Sequence, residues 1–274
     1  MNIERIDVGD VTLNTAIAGT GSPIVLLHGW PHTWQVWRGV IDRLANEHRV
    51  IAPDLRGLGG SDRAAKGYDL ETLASDAAGL LAALDVTDAV VVGLDLGAPI
   101  AWMLAERHPD RVRRLAVMEA VLGTLPGAEA FFVGGPPWWF GFHGVDGLAE
   151  TVLTGHERDY LGWFLDGGTA TTIDPELRET FVAAYTGRES LRCGFEHYRH
   201  GALNARQIDA AIANPERRTV PTLAIAGGVV GHALAGQLER ITPALRTVDM
   251  THCGHIIPVD DPAGLAAALA DFAR

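Results

Sequence analysis

Asp95 is the residue from which the chemistry of this chain can be argued. It sits in Gly93-Leu94-Asp95-Leu96-Gly97, after the apolar run Ala89–Val92 and before the helical stretch Ala98–Arg107. A strand, a tight turn and a helix in that order make a nucleophile elbow, here with a carboxylate in the place where serine is usual. A carboxylic acid with a reference pKa of about 3.9 is ionised at neutral pH, so it needs no base to become a nucleophile. Attack on carbon gives an alkyl ester, which is the chemistry of opening an epoxide or displacing a halide. The five residues alone also describe an ordinary Asx turn or helix N-cap, so the companions decide.

Such a nucleophile needs donors for an oxyanion and a base to cleave its ester. His28-Gly29-Trp30-Pro31 follows the apolar run Ile24–Leu27, where a tight loop can aim the Trp30 N–H at the site. The Leu96 N–H, one residue past the nucleophile, is the second expected donor. The base is expected near the C-terminus, in Cys253-Gly254-His255-Ile256-Ile257-Pro258, with His255 the candidate and His252 its competitor. An acid must hold the histidine tautomer. The loop after the seventh strand, Gly227-Gly228-Val229-Val230-Gly231, contains no carboxylate, whereas Glu119 ends the sixth strand. A strand-end Glu is ordinarily solvent-facing, but the vacancy after strand seven turns the expectation to Glu119. The order Asp95, Glu119, His255 is nucleophile, acid, histidine.

The elements that must position these residues are legible in outline. Alternating segments Ile3–Val8 and Val11–Ala18 predict an opening hairpin around Gly9-Asp10. Buried-strand runs follow at Ile24–Leu27, Arg49–Ala52, Ala89–Val92, Arg114–Met118, Thr222–Ala226 and Leu245–Val248. Helical patterns cover Trp34–Asn46, Leu70–Leu84, Ala98–Arg107 and Gly264–Phe272. The alternation predicts an α/β fold, a mostly parallel sheet flanked by helices on both faces. It breaks between Gly123 and Asn214, where a Gly/Pro-rich aromatic stretch precedes helical patterns without strands. The expected division is a core of 1–122 and 215–274, with a helical lid of 123–214 inserted after strand six.

Composition narrows the partners. With 22 Lys and Arg against 34 Asp and Glu, the net charge is −12. That balance opposes nucleic acid and anionic membrane surfaces and does not favour an anionic substrate. No basic segment followed by an apolar one opens the chain and no run suits a bilayer span, so a cytoplasmic location is expected. Two cysteines far apart, Cys193 and Cys253, argue against a disulfide framework or a Cys-ligated zinc site. No metal and no cofactor is called for.

Taken together, His28-Gly29-Trp30-Pro31, Pro53-Asp54-Leu55-Arg56-Gly57-Leu58-Gly59-Gly60-Ser61-Asp62, the Asp95 elbow, Met118-Glu119-Ala120 and Gly254-His255 resemble the α/β-hydrolase superfamily. Within it they resemble the epoxide hydrolase and dehalogenase branch with an aspartate nucleophile, in which some members place the acid after strand six. Haloalkane dehalogenases typically carry Trp after the nucleophile and often Asn after His-Gly; fluoroacetate dehalogenases usually carry Arg after the nucleophile. Here those positions are Leu96 and Trp30. The segment Cys193–Arg199 resembles the lid segment whose tyrosine holds the epoxide oxygen, which implies Tyr198 as a donor. Trp139, in Trp138-Trp139-Phe140, stands where relatives have a histidine and is the implied second donor, with His197 the alternative. Trp138, His28, Pro31 and His197 complete the expected substrate contacts. The resemblance therefore implies hydrolysis of an epoxide to a vicinal diol through an aspartyl ester, on a bulky or aromatic substrate, with water as the other reactant. The alternatives are a haloacid or haloalkane dehalogenase and, from a different class, a hydrolase-fold binder without turnover. The sequence is silent on oligomeric state and leaves room for a homodimer.

Overall fold

Strands that read as unbroken apolar runs must be covered on both faces. In the computed structural model, which describes residues 1–274, Ile24–Leu27 and Ala89–Val92 lie mid-sheet and bury every side chain. The strands are β1 (Asn2–Asp7), β2 (Thr12–Ala18), β3 (Ser22–Leu27), β4 (His48–Pro53), β5 (Ala89–Leu94), β6 (Val112–Met118), β7 (Thr222–Ala226) and β8 (Leu245–Asp249). Their order across one sheet is β1-β2-β4-β3-β5-β6-β7-β8. β2 runs antiparallel to β1 and β4, and every other neighbouring pair is parallel. Alternation sends Ala89 and Val91 to one core and Val90 and Val92 to the other.

One face carries α2 (Leu70–Ala83) and α3 (Gly97–Arg107); the other carries a 3₁₀ turn at Trp34–Trp37, α1 (Arg38–Leu44) and α12 (Pro262–Ala273). The single helix expected over Trp34–Asn46 is thus two pieces. Helix α12 starts two residues before the expected Gly264, because Asp261 caps it by accepting the Gly264 N–H at 2.8 Å, with Pro262 in the first turn. Between β6 and β7 lie six helices and no strand: α4 (Trp138–Gly144), α5 (Leu148–Leu153), α6 (Glu157–Gly167), α7 (Pro175–Ala184), α8 (Arg188–Arg199) and α9 (Gly201–Ala213). Two short helices, α10 (Ala233–Leu238) and α11 (Ile257–Asp260), were not expected from the sequence. No helix is long and apolar enough to cross a membrane.

The insertion is tied to the sheet layer by amide side chains. The first N–H groups of a helix have no partner within it. At α2 they are met by α9: Leu70 N–H donates to Asn204 Oδ1 at 2.9 Å and Glu71 N–H to Gln207 Oε1 at 3.2 Å. At the near end, Gln237 of α10, 1% exposed, accepts the Leu122 N–H at 2.7 Å and donates to the Leu122 and Leu125 carbonyls. The loop after β4 is pinned by a buried ion pair in which Arg56 donates twice to Asp76 at 2.6 Å, and by Asp54, which accepts from the Trp34 and Gly60 N–H groups.

Candidate active site

Asp95 stands at the C-terminal end of β5 with φ 52°, a left-handed conformation that costs a non-glycine residue about 1–3 kcal/mol. The turn needs glycine behind it, since a Cβ on Gly97 would lie 2.2 Å from the Leu27 carbonyl oxygen. The strained turn lifts the carboxylate off the sheet edge. Its Oδ2 accepts the Trp30 N–H at 2.8 Å, while Oδ1 makes no hydrogen bond and lies 3.9 Å from His255 Nε2. The Leu96 N–H, the other expected donor, makes no hydrogen bond to the carboxylate, although Leu96 borders the same cavity.

Glu119 follows β6 as Asp95 follows β5, and it too is left-handed, with φ 51°. Its carboxylate is 1% exposed and accepts from His255 Nδ1 at 3.1 Å. The loop after β7 supplies what a carboxylate needs in place of a carboxylate of its own: the Gly227 N–H donates to Oε1 at 2.9 Å, the Val230 N–H to Oε2 at 3.0 Å and the Gly231 N–H to Oε1 at 3.3 Å. A Cβ on Gly227 would stand 2.7 Å from Oε1, so side chain and loop can meet only at glycine.

His255 thus lies between two carboxylates. Burial pushes its pKa down, but the nearby Asp95 charge and the Glu119 charge and hydrogen bond more than offset that and raise it to about 10. At neutral pH the resting site holds an imidazolium between two anions. His252 is 64% exposed at its side chain and pairs with Asp261 at 3.3 Å, away from this group.

Above the carboxylate is a cavity of about 580 Å³, within the range of drug-sized ligand sites. Asp95, Glu119, His255, Tyr198, Trp139 and Trp30 border it, and no Lys or Arg does. Tyr198 stacks edge-on against Trp30 and His143, and its hydroxyl has no protein partner. Burial first, then the Asp95 charge, holds the phenol well above its ordinary pKa, so it keeps its proton.

Four expected substrate contacts fare differently. Pro31 and His197 border the cavity. The only N–H of neutral His197 is committed, because Nε2 donates to the Arg56 carbonyl at 3.1 Å and burial lowers the pKa to about 4, so it cannot be the alternative donor. His28 turns away into the core, with Nδ1 donating to the Gly29 carbonyl and Nε2 accepting the Leu55 N–H at 3.1 Å. Trp138 is 54% exposed and does not border the cavity but packs on Trp163, which does, since neighbours on a helix point about 100° apart and Trp139 takes the inward direction. His143 was not foreseen. It is fully buried, stacked on Phe195 at 4.2 Å, hydrogen-bonded with the Tyr160 hydroxyl at 2.7 Å, and kept neutral, with a pKa near 3, by burial and then by Arg199. It buttresses the Tyr198 ring, and one histidine among eleven gave no signal of that.

The α/β-hydrolase fold family matches residues 22–262. A soluble epoxide hydrolase of Corynebacterium sp. (strain C12) is 31% identical over 267 residues, 89% of this chain and 87% of that protein. A fluoroacetate dehalogenase of Burkholderia sp. is 31% identical over 216 residues, 74% and 70% of the two chains. The solved structure of the epoxide hydrolase CorEH without ligand has a TM-score of 0.87 at 27% identity, covering 99% of this chain and 98% of that one. The chain belongs to the α/β-hydrolase family. Within it, these relatives include epoxide hydrolases and a dehalogenase.

Proposed function

We propose that this hydrolase opens epoxides to vicinal diols through an ester on Asp95. The observation that carries this reading is the Asp95 carboxylate itself, one oxygen held by the Trp30 N–H and the other unbonded beneath the Tyr198 side of an apolar cavity. Asp95 Oδ1 attacks an epoxide carbon and the carbon–oxygen bond of the ring breaks. The departing oxygen takes a hydrogen bond and then the proton of Tyr198, with the Trp139 indole as a second donor. Oδ2 becomes the ester carbonyl.

Esterification removes one of the two anions that raise His255, so the imidazolium gives up its proton, which returns through cavity water to the Tyr198 phenolate, and becomes a base. It takes a proton from water, the hydroxide adds to the Asp95 carboxyl carbon, and the Trp30 and Leu96 N–H groups face the oxyanion. Collapse breaks the bond to the alkyl oxygen, which is protonated from His255; the diol leaves, and the Asp95 carboxylic acid passes its proton to His255, restoring carboxylate and imidazolium. Glu119 holds the ring throughout.

The dehalogenase relative motivates a second reading, the same ester formed at a carbon bearing halogen. No Lys or Arg borders the cavity to receive a haloacid carboxylate, and Leu96 offers a leaving halide no side-chain donor. Both weigh for the epoxide. Single turnover of an aryl epoxide in heavy-oxygen water tests the mechanism: the new hydroxyl should be unlabelled, since its oxygen comes from Asp95. Solvent label in that first product would mean direct attack by water. Halide release from fluoroacetate or a bromoalkane faster than epoxide opening would select the second reading.

A further inference from the structure

One wall of the cavity is made by Leu70 at the start of α2, Gly123 and Thr124 after β6, and Asn204, Ala205 and Ile208 of α9. This wall is apolar except for two groups, the Asn204 amide and the Thr124 hydroxyl. The Asn204 amide cannot be placed either way round. Its Oδ1 accepts the Leu70 N–H at 2.9 Å, a donor that only an oxygen can serve, so Nδ2 is the other arm. That arm has no protein partner, and neither has the Thr124 hydroxyl.

We propose that Asn204, assisted by Thr124, binds an uncharged oxygen acceptor carried on the arm of the substrate that lies away from the epoxide. The inference rests on the epoxide reading above and specifies its substrate class: a neutral, extended, largely apolar epoxide ending in a carbonyl, ether or hydroxyl oxygen. Three observations fix that class. The cavity is large enough for a drug-sized ligand, so a small epoxide leaves the α9 wall untouched. The lining holds no Lys or Arg, so an anionic end has no partner. The half-buried Asn204 amide and the Thr124 hydroxyl at the exposed rim offer N–H and O–H donors to an oxygen acceptor, which a hydrocarbon end cannot supply.

The test compares matched epoxides in which a 4-acetylphenyl or a 4-isopropylphenyl group of similar shape is joined to the oxirane by a two- or four-carbon chain. The chain insulates the reacting carbons from the substituent. In the wild type, kcat/KM for the acetyl compound should exceed that for the isopropyl compound about fivefold with the better chain length, the worth of one neutral hydrogen bond. Asn204→Asp keeps an oxygen for the Leu70 N–H and replaces the donor arm by an acceptor, so the ratio should fall to one or below. Thr124→Val should lower the ratio partway. A wild-type ratio within twofold of one at both lengths overturns the proposal without any variant, and so does a ratio preserved in Asn204→Asp. Turnover of both compounds without preference sinks this inference alone; turnover of neither sinks the epoxide reading and this inference with it.

Discussion

Replacing Asp95 by Asn imitates the charge state of the ester without forming it, and the consequence should be read at His255. Asn tolerates the left-handed φ of 52° at this position, so the turn should survive. The Asp95 oxygen lies 3.9 Å from His255 Nε2. At an effective dielectric of about 20, a charge pair at that distance is worth about 4 kcal/mol, or about 3 pH units. His255 titrates at about 10 with both carboxylates present; with Glu119 alone it should titrate at about 7, close to the reference imidazole value. Nitrogen-15 spectra of labelled wild type and Asp95→Asn over pH 5–11 measure this directly, with His255→Gln identifying the resonance. The sign for stability follows. A pKa raised on folding contributes stability that is fully present below the unfolded value near 6.5 and lost as pH rises through the folded value. Asp95→Asn should therefore be less stable than wild type at pH 6, with the gap closing towards pH 10. If the two proteins titrate within one pH unit of each other, or wild-type His255 titrates below 8, the account of His255 as a base released by esterification is wrong.

His255→Gln should alkylate and stall, leaving a substrate-sized mass increment on the peptide containing Asp95, whereas His252→Gln should turn over normally; the reverse pattern in mass spectrometry would reassign the base. Tyr198→Phe should slow pre-steady-state alkylation about 10²-fold, the cost of losing one oxyanion donor, and more than Trp139→Phe does, because the indole N–H can hydrogen-bond but not give up its proton at neutral pH. Glu119→Gln should slow ester hydrolysis more than alkylation in single-turnover traces, since the charge that steadies the His255 imidazolium is lost. Asp76→Asn leaves the buried Arg56 without its counter-charge and should cost about 3 kcal/mol or more in urea unfolding, with little effect on the reacting groups.

The strands were legible because their apolar runs are short and bounded, and the elbow because glycine must flank it. Glu119 could be reached by elimination, from a loop without a carboxylate. What the sequence did not disclose is why that loop suffices: backbone N–H groups have no letter, so the three donors from Gly227, Val230 and Gly231 are visible only in space. Helix phase was the other loss. Over the seven residues of α4, nothing in Trp138-Trp139-Phe140 says which ring turns inward. His28 misled because a histidine beside a site loop reads as a contact, while its ring serves the Leu55 N–H below. Asn204 and Gln207 were silent because the helix end they cap lies more than 130 residues earlier in the chain.

Gln237 has a consequence for remodelling this enzyme. The carboxylate that steadies His255 and the segment that roofs the cavity leave the sheet through the same exit, only a few residues apart. Were that exit loose, every exchange of the roof would displace the carboxylate. The Gln237 amide grips the Leu122 N–H and C=O and the Leu125 C=O from the sheet side, so strain arriving from the roof meets a fixed point before it reaches Glu119. A chimaera joined just after Leu125 keeps all three bonds, and its graft can be chosen for cavity shape alone. Joined a few residues earlier, the same graft forfeits the clamp and has to supply its own.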